Sequence, residues 1–313
     1  MRDGKSERLH QARRLGRMAG RLGRMAGTLL SDPVEGLIGL RAKVAERKEL
    51  RAMRTRGIGT VLMPWPPCPY EVDENWEQML HEFTGSPWPC PVSDDFWELW
   101  SRVMGSFEGK GIQLGRGAFG GWGDGEPGLV RAVWCLAHHL RPAKVVETGV
   151  ARGITSRFIL EALARNGAGH LWSIDLLPRH RDLNAQEHRD LNAQIGSAVP
   201  DGLRNRWTYV RGSSRRRLGG LLSQLEEIDL FIHDSRHTTP NLLFELNHAW
   251  EALKPGGALV ADDIDLNCGF HSFIDAHPGQ RWCVYDGEPL RPDYGRQDDR
   301  GVIAIVQKNS AAT

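Results

Sequence analysis

KVVETGVARGITS, residues 144–156, decides the fold. A short apolar run ending at Glu147 meets a loop with glycines at 149 and 153, and residues 153–166 then read as a helix. Glycine lets the chain turn sharply out of a strand and bring its backbone close to a ligand at the next helix's N-terminus. The spacing is ExGxxxG, not the GxGxxG of a dinucleotide fingerprint. Taken alone, the loop fits either a cofactor site or an ordinary strand-to-helix turn.

Similar runs follow at LWSID (171–175), WTYV (207–210), IDLFIH (228–233), GALVAD (257–262) and VIAIV (302–306), with helical segments at 214–226 and 240–253. Strands alternating with helices of this length predict βαβ units and a mainly parallel sheet, and runs this apolar predict strands buried on both faces. Ligands in such a sheet lie beyond the carboxyl ends of the strands. Three groups of residues stand there. Asp175 follows Gly149 by 26 residues, where a carboxylate can accept from a ribose diol. IHDSRHT (232–238) crowds His233, Asp234 and His237 after the fourth run, and LKPGGALVADD (253–263) ends the fifth in Asp262 and Asp263.

In this order, ETGVARGITS, Asp175, HDSRHT and KPGGALVADD resemble the class I S-adenosylmethionine-dependent methyltransferases. The nearer likeness is to the branch with catechol-type, macrolide-sugar and aminocoumarin-sugar O-methyltransferases, over about residues 143–307. The resemblance implies an α/β, Rossmann-like, seven-stranded and mostly parallel sheet with helices on both faces and an antiparallel last strand. It implies that S-adenosylmethionine is held by Glu147, Thr148, Gly149, Gly153, Thr155, Asp175, Gly212, Ser213 and Asp234, with Glu147 near the methionine end and Asp175 on the ribose. In metal-dependent members, a carboxylate after the fourth strand and an acidic pair after the fifth hold one Mg²⁺; the matching residues are Asp234, Asp262 and Asp263. His237 stands where catechol-type enzymes aim a basic lysine at the substrate hydroxyl, which makes His237 the general base beside Asp234. His233 is expected on the opposite side of the strand, as a structural histidine. Arg152 and Ile154 depart from the small or aromatic residues usual in that loop.

The activity this implies is O-methylation of a small hydroxylated acceptor, such as a sugar-containing metabolite, with Mg²⁺ lowering the hydroxyl's pKa and a base removing its proton. Two alternatives stand beside it. One is a metal-independent methyltransferase in which Asp234, Asp262 and Asp263 are polar strand ends; the other is a Rossmann-type NAD(P) oxidoreductase, against which the missing third glycine argues.

The 313 residues allow one substantial core and an extension. Residues 141–308 are expected to form the cofactor-binding domain. Residues 61–140, with seven of the eleven tryptophans falling in 61–134, form a Trp- and Pro-rich cap, lid or dimer arm. Residues 1–60 form a basic tail holding 15 Lys+Arg against 6 Asp+Glu, within a chain whose net charge is +1. The tail repeats LGRMAG at 15–20 and 22–27, and HRDLNAQ recurs at 180–186 and 188–194; both read as tandem duplications. Basic charge in a tail does not by itself specify nucleic acid, and homo-oligomerisation stays open. No apolar stretch approaches the roughly 18 residues that cross a bilayer, so a soluble, cytoplasmic protein is expected. Five scattered cysteines, none spaced CxxC, suggest free thiols and no zinc knuckle.

Overall fold

Val145 and Val146 are both fully buried, yet they belong to different hydrophobic clusters. Successive side chains of a strand point to opposite faces, so this pair places a core on each side of the sheet. Leu230 and Phe231, Ala258 and Leu259, and Ile303 and Ala304 divide in the same way. These four runs therefore lack an exposed face and could not show the alternation of a half-buried strand, whereas WTYV at 207–210 is only partly buried, with Thr208 exposed, which corrects the expectation there.

The computed structural model describes residues 68–115, 119, 127–176, 185–287 and 301–309, with isolated positions between 33 and 44. In chain order the elements are α1 (Trp76–Thr84), α2 (Ser93–Glu108), α3 (Pro127–Leu140), β1 (Lys144–Thr148), α4 (Ile154–Asn166), β2 (His170–Asp175), α5 (Ala185–Ala193), β3 (Trp207–Arg211), α6 (Ser214–Leu225), β4 (Ile228–His233), α7 (Thr239–Ala252), β5 (Leu253–Ala261), α8 (Gly269–Ala276), β6 (Arg281–Asp286) and β7 (Val302–Gln307). The strands form one seven-stranded sheet in the order β3-β2-β1-β4-β5-β7-β6. β1 pairs parallel with β2 and β4, and β7 runs antiparallel to β5 and β6. This is the Rossmann-like architecture implied by the resemblance. The LGRMAG duplication lies outside the described residues, whereas the second HRDLNAQ copy begins within α5.

One face of the sheet is covered by α1, α2, α3 and α4, the other by α6, α7 and α8. α3 is buried around its whole circumference from Pro127 to Ala137, because it lies between the sheet and the N-terminal helices; its one charged residue in that span, Arg131, pairs with Glu77 on α1 at 3.2 Å. The described tryptophans of the Trp-rich stretch mostly serve this packing. Trp100 and Trp134 are buried, Trp97 packs against the same cluster, and Trp76 stacks on Tyr285 at 4.0 Å; Trp88 is exposed.

One expectation is corrected. Cys68 and Cys268 form a disulfide across 200 residues of sequence, leaving Cys90, Cys135 and Cys283 as free, buried thiols. The bond ties the chain ahead of α1 to the residue preceding α8, where Cys68 N–H also donates to the Asp265 carbonyl at 2.8 Å. A crosslink closing so long a loop acts mainly on the unfolded chain. Cys268→Ser is expected to lower the unfolding free energy by about 2–4 kcal/mol, measured from the urea midpoint of the full chain; an unchanged midpoint would show that the bond contributes nothing.

Candidate functional site

At the carboxyl ends of β1, β2, β4 and β5 the backbone is drawn together before any side chain is considered. Gly149 N–H donates to the Ile174 carbonyl and Asp234 N–H to the Thr148 carbonyl, each at 2.9 Å, and Asp262 N–H donates to the His233 carbonyl at 2.9 Å. Gly149 has a φ of +90°, and a Cβ there would drive into the Asp234 carbonyl. The loop after β1 and the loop after β4 thus lie in contact, and glycine is required at 149 because a neighbouring backbone occupies the space of a side chain. Gly153 (φ +80°) is constrained likewise, a Cβ there meeting Gly196 Cα at 2.9 Å.

Asp175 faces back into the β1–α4 loop. Its Oδ2 accepts from the Val150 and Ala151 N–H groups at 3.0 and 3.1 Å, while burial pushes its carboxyl up against the opposing pull of these bonds. Glu147 lies beneath the loop, fully buried. Its Oε2 accepts from Ser156 at 2.6 Å and Ser173 at 2.7 Å, and its Oε1 has no hydrogen-bond partner. Burial pushes Glu147 up to about 7, against the lowering effect of the two hydroxyls. Thr148 turns its hydroxyl to Glu245 (2.6 Å) and the Ile232 carbonyl (3.3 Å). Thr155 is buried in the first turn of α4. Gly212, at φ +142°, donates its N–H to the Asp175 carbonyl at 2.9 Å, and Ser213 forms the N-cap of α6. The segment carrying the second HRDLNAQ copy closes over the same loop: Gly196 N–H reaches the Ala151 carbonyl, Ala198 N–H the Arg152 carbonyl, and Arg152 Nε donates to Gln194.

Beside this loop stands the acidic cluster. Asp234, His237 and Asp262 each offer a ligand atom, and these atoms all lie within 4.8 Å of one another. His237 Nε2 is 4.0 Å from Asp234 Oδ1 and 3.6 Å from Asp263 Oδ2. Burial pushes the His237 imidazole down, against Asp263, whose charge raises it. Asp263 itself adopts a left-handed conformation, φ +50°. Two carboxylates and an imidazole converge here, and Asp263 stands beside the same imidazole nitrogen that Asp234 faces.

Glu245 is the residue that reading the strand ends missed. It projects from α7 and is fully buried. Its Oε2 meets His233 Nδ1 at 2.6 Å, and its Oε1 accepts from Ser235 at 2.7 Å and Asn241 at 2.8 Å. Burial alone would raise its carboxyl, but the facing His233 and the hydroxyls of Ser214 and Thr148 more than offset that and hold it at about 2. His233 is therefore half satisfied, with Nδ1 paired and Nε2 without a partner, and its ring lies edge-on to His237 at 5.5 Å.

Residues 146–264 match the family model of a methyltransferase domain. The chain matches none of the curated proteins. Among solved structures it is similar to an O-methyltransferase from Bacillus cereus in complex with S-adenosylhomocysteine, at 14% identity and a TM-score of 0.44, covering 74% of this chain and 97% of that one. It is also similar to the O-methyltransferase TomG from Streptomyces achromogenes, involved in tomaymycin synthesis and in complex with S-adenosylmethionine, at 13% identity and a TM-score of 0.43, covering 77% and 92%. A methyltransferase from Geobacter sulfurreducens overlaps at 18% identity and a TM-score of 0.41, covering 78% and 100%. At such scores these likenesses carry no residue-by-residue correspondence.

Proposed function

We propose that the protein, whose residues 146–264 match the model of a methyltransferase domain within a seven-stranded fold, transfers the methyl group of S-adenosylmethionine to a hydroxyl oxygen of a small, hydroxylated acceptor, with a divalent cation at Asp234 and Asp262. The observation that carries this reading is the contact between two loops. The glycine loop after β1 abuts the Asp234 carbonyl, so a cofactor held by the first loop lies next to the carboxylate cluster on the second.

S-adenosylmethionine supplies an electrophilic sulfonium methyl, and Mg²⁺ supplies Lewis acidity that lowers a bound hydroxyl's pKa. The chain aligns the reactants and moves one proton. Gly149 and Gly153 allow the backbone of the β1–α4 loop to approach the cofactor, while Asp175 holds that loop's amides and faces the ribose. The unpaired Glu147 Oε1 suits the cationic amine at the methionine end. Gly212 and Ser213 line the adenosine side after β3. Asp234 and Asp262 present hard oxygen donors, which suit Mg²⁺, and His237, kept neutral by burial, accepts the proton of the acceptor hydroxyl. Thr148 contributes through Glu245 and the β1–β4 seam.

Calorimetric titration with S-adenosylmethionine, S-adenosylhomocysteine and NAD, each with and without Mg²⁺, tests the assignment. Binding of both sulfur ligands, weakened by Asp175→Ala, is expected; binding of NAD alone would refute it.

Glu147 gives the reading a pH signature. Its folded pKa of about 7 lies above its ordinary value of 4.5, so the ligand-free protein binds this proton more tightly than the unfolded chain does. The resulting stability is complete below about pH 4.5 and is lost as pH rises to about 7, a change on the order of 3 kcal/mol. A cationic amine at Oε1 favours the ionised form. S-adenosylhomocysteine affinity should then rise roughly tenfold between about pH 6 and about pH 8, and Glu147→Gln should flatten both dependences. A pH-independent affinity in the parent protein would place the amine elsewhere.

A further inference from the structure

Far from the strand ends, His81, Cys90, Cys135 and His139 bring two thiols and two imidazoles together with all four ligand atoms within 4.8 Å of one another. Cys90 Sγ lies 3.6 Å from Cys135 Sγ and 3.7 Å from His139 Nε2. In a tetrahedral site with Zn–S of about 2.3 Å and Zn–N of about 2.0–2.1 Å, the sulfur–sulfur edge is about 3.8 Å and the sulfur–nitrogen edge about 3.6 Å. The two measured edges, 3.6 and 3.7 Å, fall within about 0.2 Å of those lengths. From this geometry we propose that His81, Cys90, Cys135 and His139 bind one structural Zn²⁺, clamping the N-terminal helices onto the methyltransferase domain.

Three further observations support the assignment. His81 Nε2 is buried with no hydrogen-bond partner, while its Nδ1 is held by Ser86 Oγ at 2.8 Å and Ser86 in turn by Thr84 at 2.6 Å. That is the arrangement in which one ring nitrogen is fixed by a hydroxyl relay and the other is left for a metal. The set is divided across a packing interface. His81 comes from α1 and Cys90 from the turn before α2, whereas Cys135 and His139 lie one turn apart on α3 and therefore share a face. The site is also closed, with His81, Cys90 and Cys135 buried, which leaves no open position for substrate and fits a structural site. Two thiolates balance the charge of Zn²⁺, and mixed thiolate and imidazole donors select zinc over the hard cations suited to Asp234 and Asp262.

The inference does not depend on the proposed reaction, and its test keeps the two sites apart. The full chain, carrying Asp234→Ala to disable the other cluster, is purified under reducing conditions without chelator and assayed for metal. One zinc per chain is expected. Replacement of zinc by Co²⁺ should give the visible bands of a tetrahedral ion together with a thiolate-to-cobalt charge-transfer band, which the Asp234 cluster cannot produce. Cys135→Ser should lose the ion, whereas His139→Cys should retain it with a stronger charge-transfer band. If Cys135→Ser does not fold, the cobalt spectrum of the Asp234→Ala protein decides the matter alone. Absence of zinc together with absence of a thiolate–cobalt band, or one full equivalent of zinc retained by Cys135→Ser, would overturn the proposal.

Discussion

Asp234→Ala is expected to lower turnover by about 10³-fold and to leave what remains indifferent to EDTA. The substitution spares the backbone. Asp234 is held through its backbone, its N–H on the Thr148 carbonyl at 2.9 Å and its own carbonyl packed on Gly149, and alanine keeps both relations. The change therefore falls on the carboxylate, which with Asp262 and His237 makes the converging donor set. A Lewis-acid contribution of several kcal/mol to the transition state corresponds to roughly three powers of ten at about 1.4 kcal/mol each. The measurement is methyl transfer from radiolabelled S-adenosylmethionine to sugars and vicinal diols, in Mg²⁺ and in excess EDTA. Wild-type protein should lose a comparable factor in EDTA, so full wild-type turnover there would remove the metal from the mechanism and return Asp234 and Asp262 to the status of polar strand ends.

What the chain disclosed before folding follows from where strands stop. ETGVARGITS, Asp175, Asp234 and Asp262 were legible because a parallel sheet delivers its strand ends to one edge, so each position could be placed from the preceding apolar run alone. Asp263 shows the limit of that logic. Adjacent residues leave a strand in different directions, and Asp263, with its left-handed backbone, meets His237 at 3.6 Å but is not one of the convergent donors Asp234, His237 and Asp262. β6 escaped notice because Arg281 and Trp282 are exposed before Cys283, Val284 and Tyr285 become buried, a pattern that is neither alternating nor continuous. Glu245, the Cys68–Cys268 disulfide and the His81–Cys90–Cys135–His139 cluster depend on which helix faces which strand or helix, and no sequence spacing records that. In the last, Cys135 and His139 sit four apart on α3 while their partners lie about 45 residues or more upstream, so the cysteines read only as scattered free thiols.

His237→Ala should reduce turnover by about 10²–10⁴-fold, the range for loss of a general acid–base group. The imidazole reaches the cluster from the first residues after β4, its ring edge-on to His233 and its Nε2 3.6 Å from Asp263 and 4.0 Å from Asp234. His233 is fixed in turn by Glu245, which takes its Nδ1 at 2.6 Å while accepting from Thr148, Ser235 and Asn241. A base so placed is oriented by packing, and burial favours its neutral, proton-accepting form. The same geometry raises a competing role. Since His237 belongs to the group whose ligand atoms fall within 4.8 Å, it could serve the cation as a nitrogen donor, an arrangement better suited to transition metals than to Mg²⁺. The two roles separate in one variant. As a base, its loss lowers kcat, leaves the affinity for Mg²⁺ nearly unchanged and spares S-adenosylmethionine binding; as a ligand, its loss weakens the metal in parallel with the rate, and Mn²⁺ in excess restores part of it. Undiminished turnover in His237→Ala would assign the ring to the buried Glu245–His233 packing and leave proton removal to water.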